Sequence, residues 1–359
     1  MLKYILRKIW YGLWVFFGVI TLIFFLFKVL PGDPARMMLG QRADIASVEA
    51  IQKELGLDKP LLTQYANYIN DISPISIHKH SDTKSYFYLD EEKYSPYFSF
   101  ITIGNKCLVF KFPYLGRSFQ SGRKVSDILA EAFPLTLLLA VVSILFAMIL
   151  GIFLGVLTSI NPDNWFSKLI IGFSALGMAL PSFFAAILIA WIFAYLLGDY
   201  TGLNMTGSLK EVDDFGRGEY FSFKNLILPA ITLGIRPLAI VVQLTRSSLI
   251  NVLSQDYIRT ARAKGLSMYH VITRHALKNA LNPVITAISG WFASLLAGAV
   301  FVEYVFDWKG LGVTIVGALE HYDFPVIMGT VLLISVMLVI INIIVDVLYG
   351  VIDPRVRLS

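Results

Sequence analysis

Six long apolar runs constrain this chain more than any other feature of its sequence. Each reaches about the 20 residues that an α-helix needs to cross the hydrocarbon core of a bilayer. Charged residues make up 15% of the chain and the mean hydropathy is +0.68, whereas soluble domains carry about 25% charged residues. The sequence therefore predicts an all-α polytopic membrane protein with six transmembrane helices. The runs cover residues 9–30, 132–158, 168–197, 226–250, 284–302 and 325–349.

The first run is predicted to be a retained span rather than a signal peptide. A signal peptide has an apolar core of about 7–15 residues followed by a small-residue cleavage site. Here the run is longer, and a Pro-Gly-Asp-Pro motif follows it at 31–34. Lys3, Arg7 and Lys8 precede the run, which predicts a cytoplasmic N-terminus.

The basic residues sort by loop. With a cytoplasmic N-terminus, the inner segments hold twelve Lys/Arg against three acids, and the two short outer loops hold four Lys/Arg against nine acids. This asymmetry follows the positive-inside rule. It predicts that both termini are cytoplasmic and that segment 31–131 faces outward. The inner segments are 1–8, 159–168, 246–283 and 350–359, and the outer loops are 198–225 and 303–324.

The extracytoplasmic segment is predicted to be a small folded insertion. Residues 31–132 balance twelve Lys/Arg with twelve Asp/Glu, and dense aromatics argue against a disordered linker. Helical periodicity runs over 47–57 and again over 61–69. Aromatic and β-branched residues dominate 86–112, which predicts a few strands.

The third apolar run is about 30 residues long, and Pro181 interrupts it. Proline is the usual cause of a sharp helix kink. We expect a kinked span whose small residues, among them Gly172 and Gly177, let a neighbouring helix pack closely.

The basic segment 244–283 carries more pattern than a connector needs. Between Arg246 and Lys278 it holds six Lys/Arg against one acid, Asp256. Gly265 separates two stretches with helical spacing, so two short helices around a glycine are expected. The first stretch places Tyr257, Ala261 and Lys264 on one face, and the second carries Met268, Val271, Ile272 and Leu277.

No catalytic or metal-binding set emerges. Cys107 is the one cysteine, which excludes an internal disulfide and a Cys-based metal cluster. His270 and His275 lack the spacing of a zinc protease motif, and no third ligand accompanies His78 and His80. No Gly-rich phosphate loop is present, so ATP is not expected to bind this chain. Because the basic residues sort by loop, the net charge of +5 does not indicate nucleic-acid binding.

Polar residues inside the spans are the remaining candidates, since a charge at mid-bilayer costs about 2.5–3.5 kcal/mol on insertion scales. Arg236 shares a helical face with Thr232 and Gln243. This stripe either lines a cavity where Arg236 meets a substrate carboxylate, or Arg236 snorkels outward or pairs with an acid of another span. Asp346, four residues after Asn342, is expected to pair with the basic loop rather than with cargo.

At the basic segment the sequence resembles a known family. The stretch Asp256-Tyr-Ile-Arg-Thr-Ala-Arg-Ala-Lys-Gly265 resembles the cytoplasmic coupling loop of ABC importer permeases. More narrowly, it is similar to the dipeptide/oligopeptide/nickel permeases. Other motifs in the same order support the resemblance over most of the chain. They are Pro-Gly-Asp-Pro at 31–34, Glu-Leu-Gly-Leu-Asp-Lys-Pro at 54–60, Leu-Thr-Arg-Ser-Ser at 244–248, His-Ala-Leu-Lys-Asn-Ala-Leu-Asn-Pro-Val at 275–284, Leu-Ala-Gly-Ala at 296–299, Trp-Lys-Gly-Leu-Gly at 308–312 and Asp-Val-Leu-Tyr-Gly-Val-Ile-Asp-Pro-Arg at 346–355.

The resemblance implies a type I ABC importer permease in the cytoplasmic (inner) membrane. Such a subunit pairs with a second homologous permease, two cytoplasmic ATPase subunits that use ATP and Mg, and an extracytoplasmic solute-binding protein. The helix around Thr260–Met268 would dock on an ATPase, and this chain would bind no cofactor. The implied division is 1–30 with the first helix, the extracytoplasmic region 31–131, the permease core 132–350 with its coupling loop 251–283, and a tail 351–359. The implied coupling residues are Asp256, Tyr257, Arg259, Thr260, Ala261, Arg262, Ala263, Lys264, Gly265, Leu266 and Met268.

Two departures from the family pattern stand out. The general signature Glu-Ala-Ala, three residues, then Gly reads Arg259-Thr260-Ala261 before Gly265 here, and segment 71–111 is longer than the usual first outer loop.

Peptides are the expected cargo, with nickel-chelate or another small solute as the alternative. A stand-alone secondary transporter would need coupling-ion groups at the midplane, and a membrane enzyme would need a nucleophile–base or metal set.

Overall fold

The computed structural model describes residues 2–29, 48–49, 52–53, 56–80, 85, 87–213 and 218–352, with only the backbone of 2–5, 28–29, 293, 297 and 348–352. The Pro-Gly-Asp-Pro motif at 31–34, part of the expected helix 47–57 and the tail from 353 lie outside the described residues.

Long helices dominate the described chain, and two small sheets accompany them. The helices are α1 (Leu2–Val29), α2 (Leu61–Ile72), α3 (Glu91–Tyr94), α4 (Val125–Ile160), α5 (Trp165–Ala179), α6 (Ser182–Ile189), α7 (Gly198–Thr201), α8 (Lys224–Leu253), α9 (Asp256–Ala263), α10 (Met268–His270), α11 (Leu277–Ala280), α12 (Asn282–Phe306), α13 (Leu311–Glu320) and α14 (Phe324–Ile352). Ala190–Leu196 and Val271–Ala276 are π-helical. The strands are β1 (Ile75–Lys79), β2 (Tyr97–Ile103), β3 (Lys106–Lys111), β4 (Lys210–Val212) and β5 (Glu219–Phe221).

Within the described residues, four helices are long and apolar enough to cross a membrane: α1, α4, α8 and α14. Two bent pairs also pass when each pair is taken together. Trp165–Ala179 and Ser182–Leu196 meet at 117°, and Asn282–Leu296 and Gly298–Phe306 meet at 56°. The expected number of six spans is reached if each bent pair counts as one.

The chain divides into two compact units. The first comprises Met1–Ile9, Ala132–Val316 and Met337–Ser359, and the second comprises Trp10–Glu131 and Gly317–Val336.

Helix α8 packs closely against α4 and α5 in the first unit. A Cβ built on Gly151 of α4 would lie 2.7 Å from a methyl carbon of Val241. The expected close contact at Gly177 of α5 is confirmed, because a Cβ there would lie 2.6 Å from Ile235. Gly172 has open space instead. Small residues on α4 and α5 therefore let both helices approach α8.

The end of α12 forms a buried corner in the first unit. Glu303 is fully buried, and its Oε2 accepts a hydrogen bond of 2.5 Å from the backbone N–H of Gly312. Trp308 is also buried, and its Nε1–H donates to the Leu135 carbonyl at 3.0 Å. The sequence predicts that 303–324 is an outer loop. In the structure the apolar helix α13 occupies much of that segment, and the Glu303 carboxylate accepts from an amide of its first turn.

Asp346 does not pair with the basic loop. Its Oδ2 lies 2.8 Å from Nζ of Lys8 on α1. The expectation for this carboxylate was wrong because the basic residues before the first span also reach it.

The second unit packs α2 along α1. The Tyr65 hydroxyl lies 2.6 Å from the Thr21 hydroxyl, and the Phe24 ring lies 5.2 Å from that of Tyr65. Ile72 is buried with Ile20 and Ile23 of α1 and with Leu332 of α14. The expected helix over 61–69 is thus confirmed and extends to Ile72.

The insertion in the second unit contains an antiparallel sheet in the order β1-β3-β2. Two of its strands confirm the expectation for 86–112. Sequence reasoning missed β1, and it also missed the β4–β5 hairpin in the first unit.

Buried polar groups fill the inner face of this sheet. Lys111 is buried, and its Nζ donates to the Asp71 carbonyl at 2.5 Å. The Tyr94 hydroxyl donates to the Asp71 carboxylate at 2.6 Å, and Lys93 pairs with the same carboxylate at 3.0 Å. Burial lowers the pKa of Lys111 to about 8.

His78 lies fully buried in the same layer, where Nε2 is 3.0 Å from the Ser76 hydroxyl. Burial, aided by the charge of Lys111, lowers the pKa of His78 to about 4. An unfolded histidine takes up its proton near pH 6.5. Between these values the unfolded insertion binds more protons, so its free energy of unfolding falls as the pH drops.

We predict that the insertion opens more readily as the pH falls from 6.5 to about 4. The free energy of opening falls by at most about 1.4 kcal/mol for each pH unit, which is a tenfold change in the opening equilibrium constant. Cys107 is buried in the same layer, so its labelling by dithiodipyridine, relative to the unfolded chain, measures opening. A His78→Gln variant should lose the slope in this window. An equal slope in both proteins would contradict the role of His78.

Candidate functional site

The basic segment folds into two helical stretches that turn at Gly265. Helix α9 ends at Ala263, and the N–H of Lys264 donates to the Thr260 carbonyl at 3.1 Å. Gly265 has φ +80°, a left-handed conformation that favours glycine. Helix α10, the π-helical stretch and α11 then carry the chain to Ala280. The expected pair of helices is confirmed, but the docking helix expected around Thr260–Met268 is corrected. The helix stops at Ala263, and a turn follows.

The loop has a buried face that anchors it. Ile258 is fully buried and Ala261 nearly so. Of the three residues that the sequence places on one helical face, Ala261 belongs to this buried side, whereas Tyr257 and Lys264 are exposed. Ile258 is the most apolar side chain of α9, and burying it is favourable. These side chains pack with Leu249, Val271, Ile272, Ala276 and Ala280.

The opposite side of the loop is an exposed surface of nine consecutive residues, 262–270. Tyr269 is 72% exposed, and Leu266 and Met268 are also exposed. Arg262 donates to the Met268 sulfur at 3.5 Å. Tyr257 and Arg259 of α9 are exposed as well. We call one set of exposed loop side chains the docking face, after the ATPase contact that is proposed for it below: Tyr257, Arg259, Arg262, Lys264, Leu266, Met268 and Tyr269.

Arg259 makes a loose local ion pair. Its Nη1 lies 3.4 Å from Oδ1 of Asp256, with side chains 75% and 96% exposed. Exposed pairs of this kind contribute little to stability. Arg259 can therefore leave Asp256 for another carboxylate at little cost.

A cavity of about 70 Å³ lies among α5, α6, α8 and α12. Arg236 and Thr232 line it, as expected from their shared helical face, together with Trp291, Ser294 and Gly298 of α12. The Thr232 hydroxyl donates to the Leu228 carbonyl of its own helix at 2.8 Å. Gln243 lies outside this lining, and its side-chain amide donates to the Met178 sulfur at 3.5 Å.

Arg236 donates a hydrogen bond to the backbone at the bend between α5 and α6. Its Nη2 donates to the Leu180 carbonyl at 3.1 Å. Leu180 directly precedes Pro181, where the helix breaks, so this carbonyl lies at the end of α5 without the next turn of the helix. The interpretations of Arg236 from the sequence were carboxylate binding, snorkelling or pairing with an acid of another span, and none of them included this role. Its Nε has no hydrogen-bond partner among the described residues.

A second, more open pocket of about 260 Å³ adjoins the cavity and shares Trp291 and Ser294 with it. Thr286 and Gly290 also line this pocket. Residues 286, 290, 294 and 298 recur every fourth position, so one face of α12 presents small side chains along both spaces.

Comparison with known proteins identifies the family. Residues 147–358 match the model of the binding-protein-dependent transport system inner membrane component, and residues 1–85 match the model of its N-terminal region. The chain belongs to this family.

Curated relatives match along the whole permease. The dipeptide transport system permease protein DppB of Escherichia coli strain K12 is 34% identical over 374 residues, covering 99% of each chain. The glutathione transport system permease protein GsiC of the same strain is 33% identical over 357 residues, again covering 99% of each chain. A solved inward-facing structure of the MetNI methionine ABC transporter is 17% identical, with a TM-score of 0.48, and covers 63% of this chain and 96% of that chain.

Family membership confirms the expected ABC importer permease and its helical polytopic fold class. The chain is a membrane-embedded transport subunit rather than an enzyme. Membership also implies partner ATPases, which use ATP, and a binding protein.

Sequence reasoning missed the residues that act through the backbone. The Leu180 carbonyl, the partner of Arg236, and the amide of Gly312, the partner of Glu303, leave no mark in composition. Pro181 did signal the break. The proline does not indicate which side chain donates to the free carbonyl at the break, because that donor depends on the packing of α8.

We predict that Gly265→Pro prevents ATPase copurification with the permease, because proline fixes φ near −65° whereas this position has +80°. Gly265→Asn is the matched control, since asparagine tolerates the left-handed region and no heavy atom would lie within 4 Å of an added Cβ. Wild-type copurification of Gly265→Pro would contradict the need for this turn.

We predict that Arg236→Ala lowers both thermal stability and uptake. Loss of the donor leaves the part-buried Leu180 carbonyl without this partner, at a cost of up to about 1–3 kcal/mol. Arg236→Lys should retain more of both properties, and Gln243→Ala, outside the cavity, should leave both unchanged. Thermal aggregation in detergent and peptide uptake measure the effects.

Peptides with free and amidated C-termini separate the two roles of Arg236. Support of the helix break predicts that Arg236→Ala impairs uptake of both kinds. Binding of a substrate carboxylate predicts that uptake of amidated peptides survives. Unchanged uptake and stability would exclude both roles.

Proposed function

We propose that this chain is one of two membrane-spanning subunits of an ATP-driven importer of di- and oligopeptides. The relatives reported above are named as dipeptide and glutathione transport permeases, which supports peptides as the cargo. The observation that carries the proposal is the docking face, which lies on a loop fixed to the permease by its own buried face. A second homologous permease, two ATPase subunits and a solute-binding protein complete the complex.

The docking face has the chemistry of a contact with another protein. It combines exposed aromatic and apolar side chains with arginines and a lysine, and aromatic residues and arginine are enriched at interfaces. Asp256, Thr260, Ala263 and Gly265 shape the turn that presents it. In this arrangement Arg259, where the general signature has glutamate, faces a carboxylate of the ATPase.

Helix α8 transmits the movement of the loop to the cavity. Leu249, on α8, is buried with Ile258 and Ala261 of the loop. Arg236 lies thirteen residues earlier on the same helix, about 20 Å away at 1.5 Å per residue. Displacement of α9 by a closing ATPase dimer therefore shifts α8 and the cavity wall.

The cavity in this conformation is too small for cargo. Pockets that enclose a ligand of drug size measure about 300–1,000 Å³, against about 70 Å³ here. The cargo therefore passes only when the helices around Arg236 and Thr232 part. That requirement fits alternation between two states, which partner subunits bias.

The topology and domain division remain part of the proposal. Both termini lie in the cytoplasm of the inner membrane, 31–131 is extracytoplasmic, and 132–350 forms the permease core. The strongly basic docking face on the cytoplasmic side agrees with the positive-inside rule. A stand-alone secondary transporter is disfavoured by membership of a binding-protein-dependent family.

Reconstitution tests this function. The permease, its sister permease and the ATPases are placed in proteoliposomes with ATP inside, and the binding protein is added outside. We expect uptake of labelled di- and oligopeptides that is competed by unlabelled peptides and not by nickel–histidine. Uptake of the nickel chelate alone would replace the proposed cargo, and ATP-independent uptake by this chain alone would overturn the proposal.

Met268→Glu tests the docking face in the same system. Because it places a charge among exposed apolar groups, we expect at least a tenfold loss of uptake, equivalent to about 1.4 kcal/mol of coupling. Asn164→Asp adds a negative charge at an exposed position at the start of α5, outside the docking face, and should retain uptake. Equal uptake by the two variants would exclude Met268 from the contact.

A further inference from the structure

The outer face of the three-stranded sheet is apolar and exposed. One row across the strands holds Ile75, Phe110 and Phe98, and the next holds Ile77 and Ile101 with Leu108 between them. The exposed fractions run from 51% for Phe110 to 64% for Phe98. The Phe100 ring belongs to the same cluster, 5.0 Å from that of Phe98. We call this surface the apolar sheet face: Ile75, Ile77, Phe98, Phe100, Ile101 and Phe110.

The covered face of the sheet is mixed, because Ser76, His78 and Lys111 are buried there beside Cys107 and Val109. The other face, of phenylalanine and isoleucine, is the more apolar one and yet is exposed. A sheet with one face in water buries its apolar side and exposes its polar side. Contiguous apolar surface of this kind on a protein marks an interaction site.

The attachment of the sheet to α2 fixes how deep the sheet lies relative to the ends of the membrane-spanning helices. Helix α2 directly precedes the sheet, and Ile72 at its end is buried with Ile20 and Leu332. The apolar spans reach their ends on this side at Phe27 and Phe324, whose rings lie 5.4 Å apart. Ile20 lies seven residues from Phe27 and Leu332 lies eight from Phe324. At 1.5 Å per residue, Ile72 packs about 10–12 Å inside those ends.

The apolar face begins close to that level. Only Ser73 and Pro74 separate Ile72 from Ile75, and three residues of extended chain reach about 10 Å. The edge strand β2 has one side outside the ladder, whereas the outward groups of β1 pair with the Asn70 side chain and with the backbone of Phe87 and Leu89. Hydrocarbon does not tolerate an open sheet edge. The headgroup layer offers both water for the edge of β2 and apolar depth for the rings.

We propose that the apolar sheet face lies against the headgroup layer of the membrane that the chain spans, with its rings reaching the acyl boundary. The insertion is thereby held at the membrane surface through lipid as well as through α1 and α14. This inference requires only that the chain spans a membrane, so it stands apart from the proposed cargo and coupling.

Spin labels measure this contact, since the chain has one cysteine and Cys107→Ser removes it. A label at Phe100→Cys is compared with a label at Glu92→Cys, an exposed position on α3, in proteoliposomes. Collision rates are measured with oxygen, which concentrates in lipid, and with a water-soluble nickel chelate. We expect the oxygen-to-nickel ratio at Phe100→Cys to exceed that at Glu92→Cys severalfold.

Other occupants give different results. Equal ratios at the two positions would show a water-exposed sheet and overturn the proposal. A label at Phe100→Cys that is immobile and shielded from both agents would indicate a second permease, and shielding that appears only with added binding protein would indicate that partner. Both outcomes also overturn it. If Phe100→Cys does not fold, Ile77→Cys on β1 gives the same reading.

Discussion

Backbone polar groups need hydrogen-bond partners wherever a chain lies in a bilayer, and this permease depends on how it meets that need. Continuous helices satisfy the requirement by themselves. The bend after Leu180 does not, and the Arg236 guanidinium supplies a donor from another helix. The turn after α12 has a similar solution, because the Glu303 carboxylate accepts from the Gly312 amide. Charged side chains therefore stabilise the irregular parts of the helical unit.

Helix α8 connects the two candidate sites because its surroundings leave it little freedom. Gly151 and Gly155 of α4 approach it so closely that an added Cβ would meet Val241 or Thr245. Its C-terminal part carries Leu249, which is buried with the loop. A helix packed in this way moves as a unit with its neighbours, since close-packed interiors transmit displacement rather than absorb it.

Much of this architecture could be predicted from the sequence because its signals are local. Apolar run length indicates spans, Pro181 indicated the break, and Gly265 indicated the turn of the loop. Contacts between distant segments were less accessible. The pattern of α9 allowed more than one buried face, and only packing against Leu249 and Val271 selects Ile258 over Tyr257. The sequence offers Asp346 several basic partners, and in the folded chain it pairs with Lys8. In the insertion, β1 lies outside the aromatic stretch 86–112 that predicted strands, so its pairing with β3 was not accessible from the sequence.

The π-helical stretch Val271–Ala276 follows the turn of the loop and precedes α12. A π-turn holds one residue more than an α-turn in each hydrogen-bonded ring. Its conversion to α-helix would change the hydrogen-bond register by one residue and rotate the following segment by about 100°, the angle that one residue occupies in a helix of 3.6 residues per turn. Movement at the loop can therefore reach α12 as a screw rotation. Such a rotation would turn the small-residue face of α12 toward or away from the cavity without bending α8.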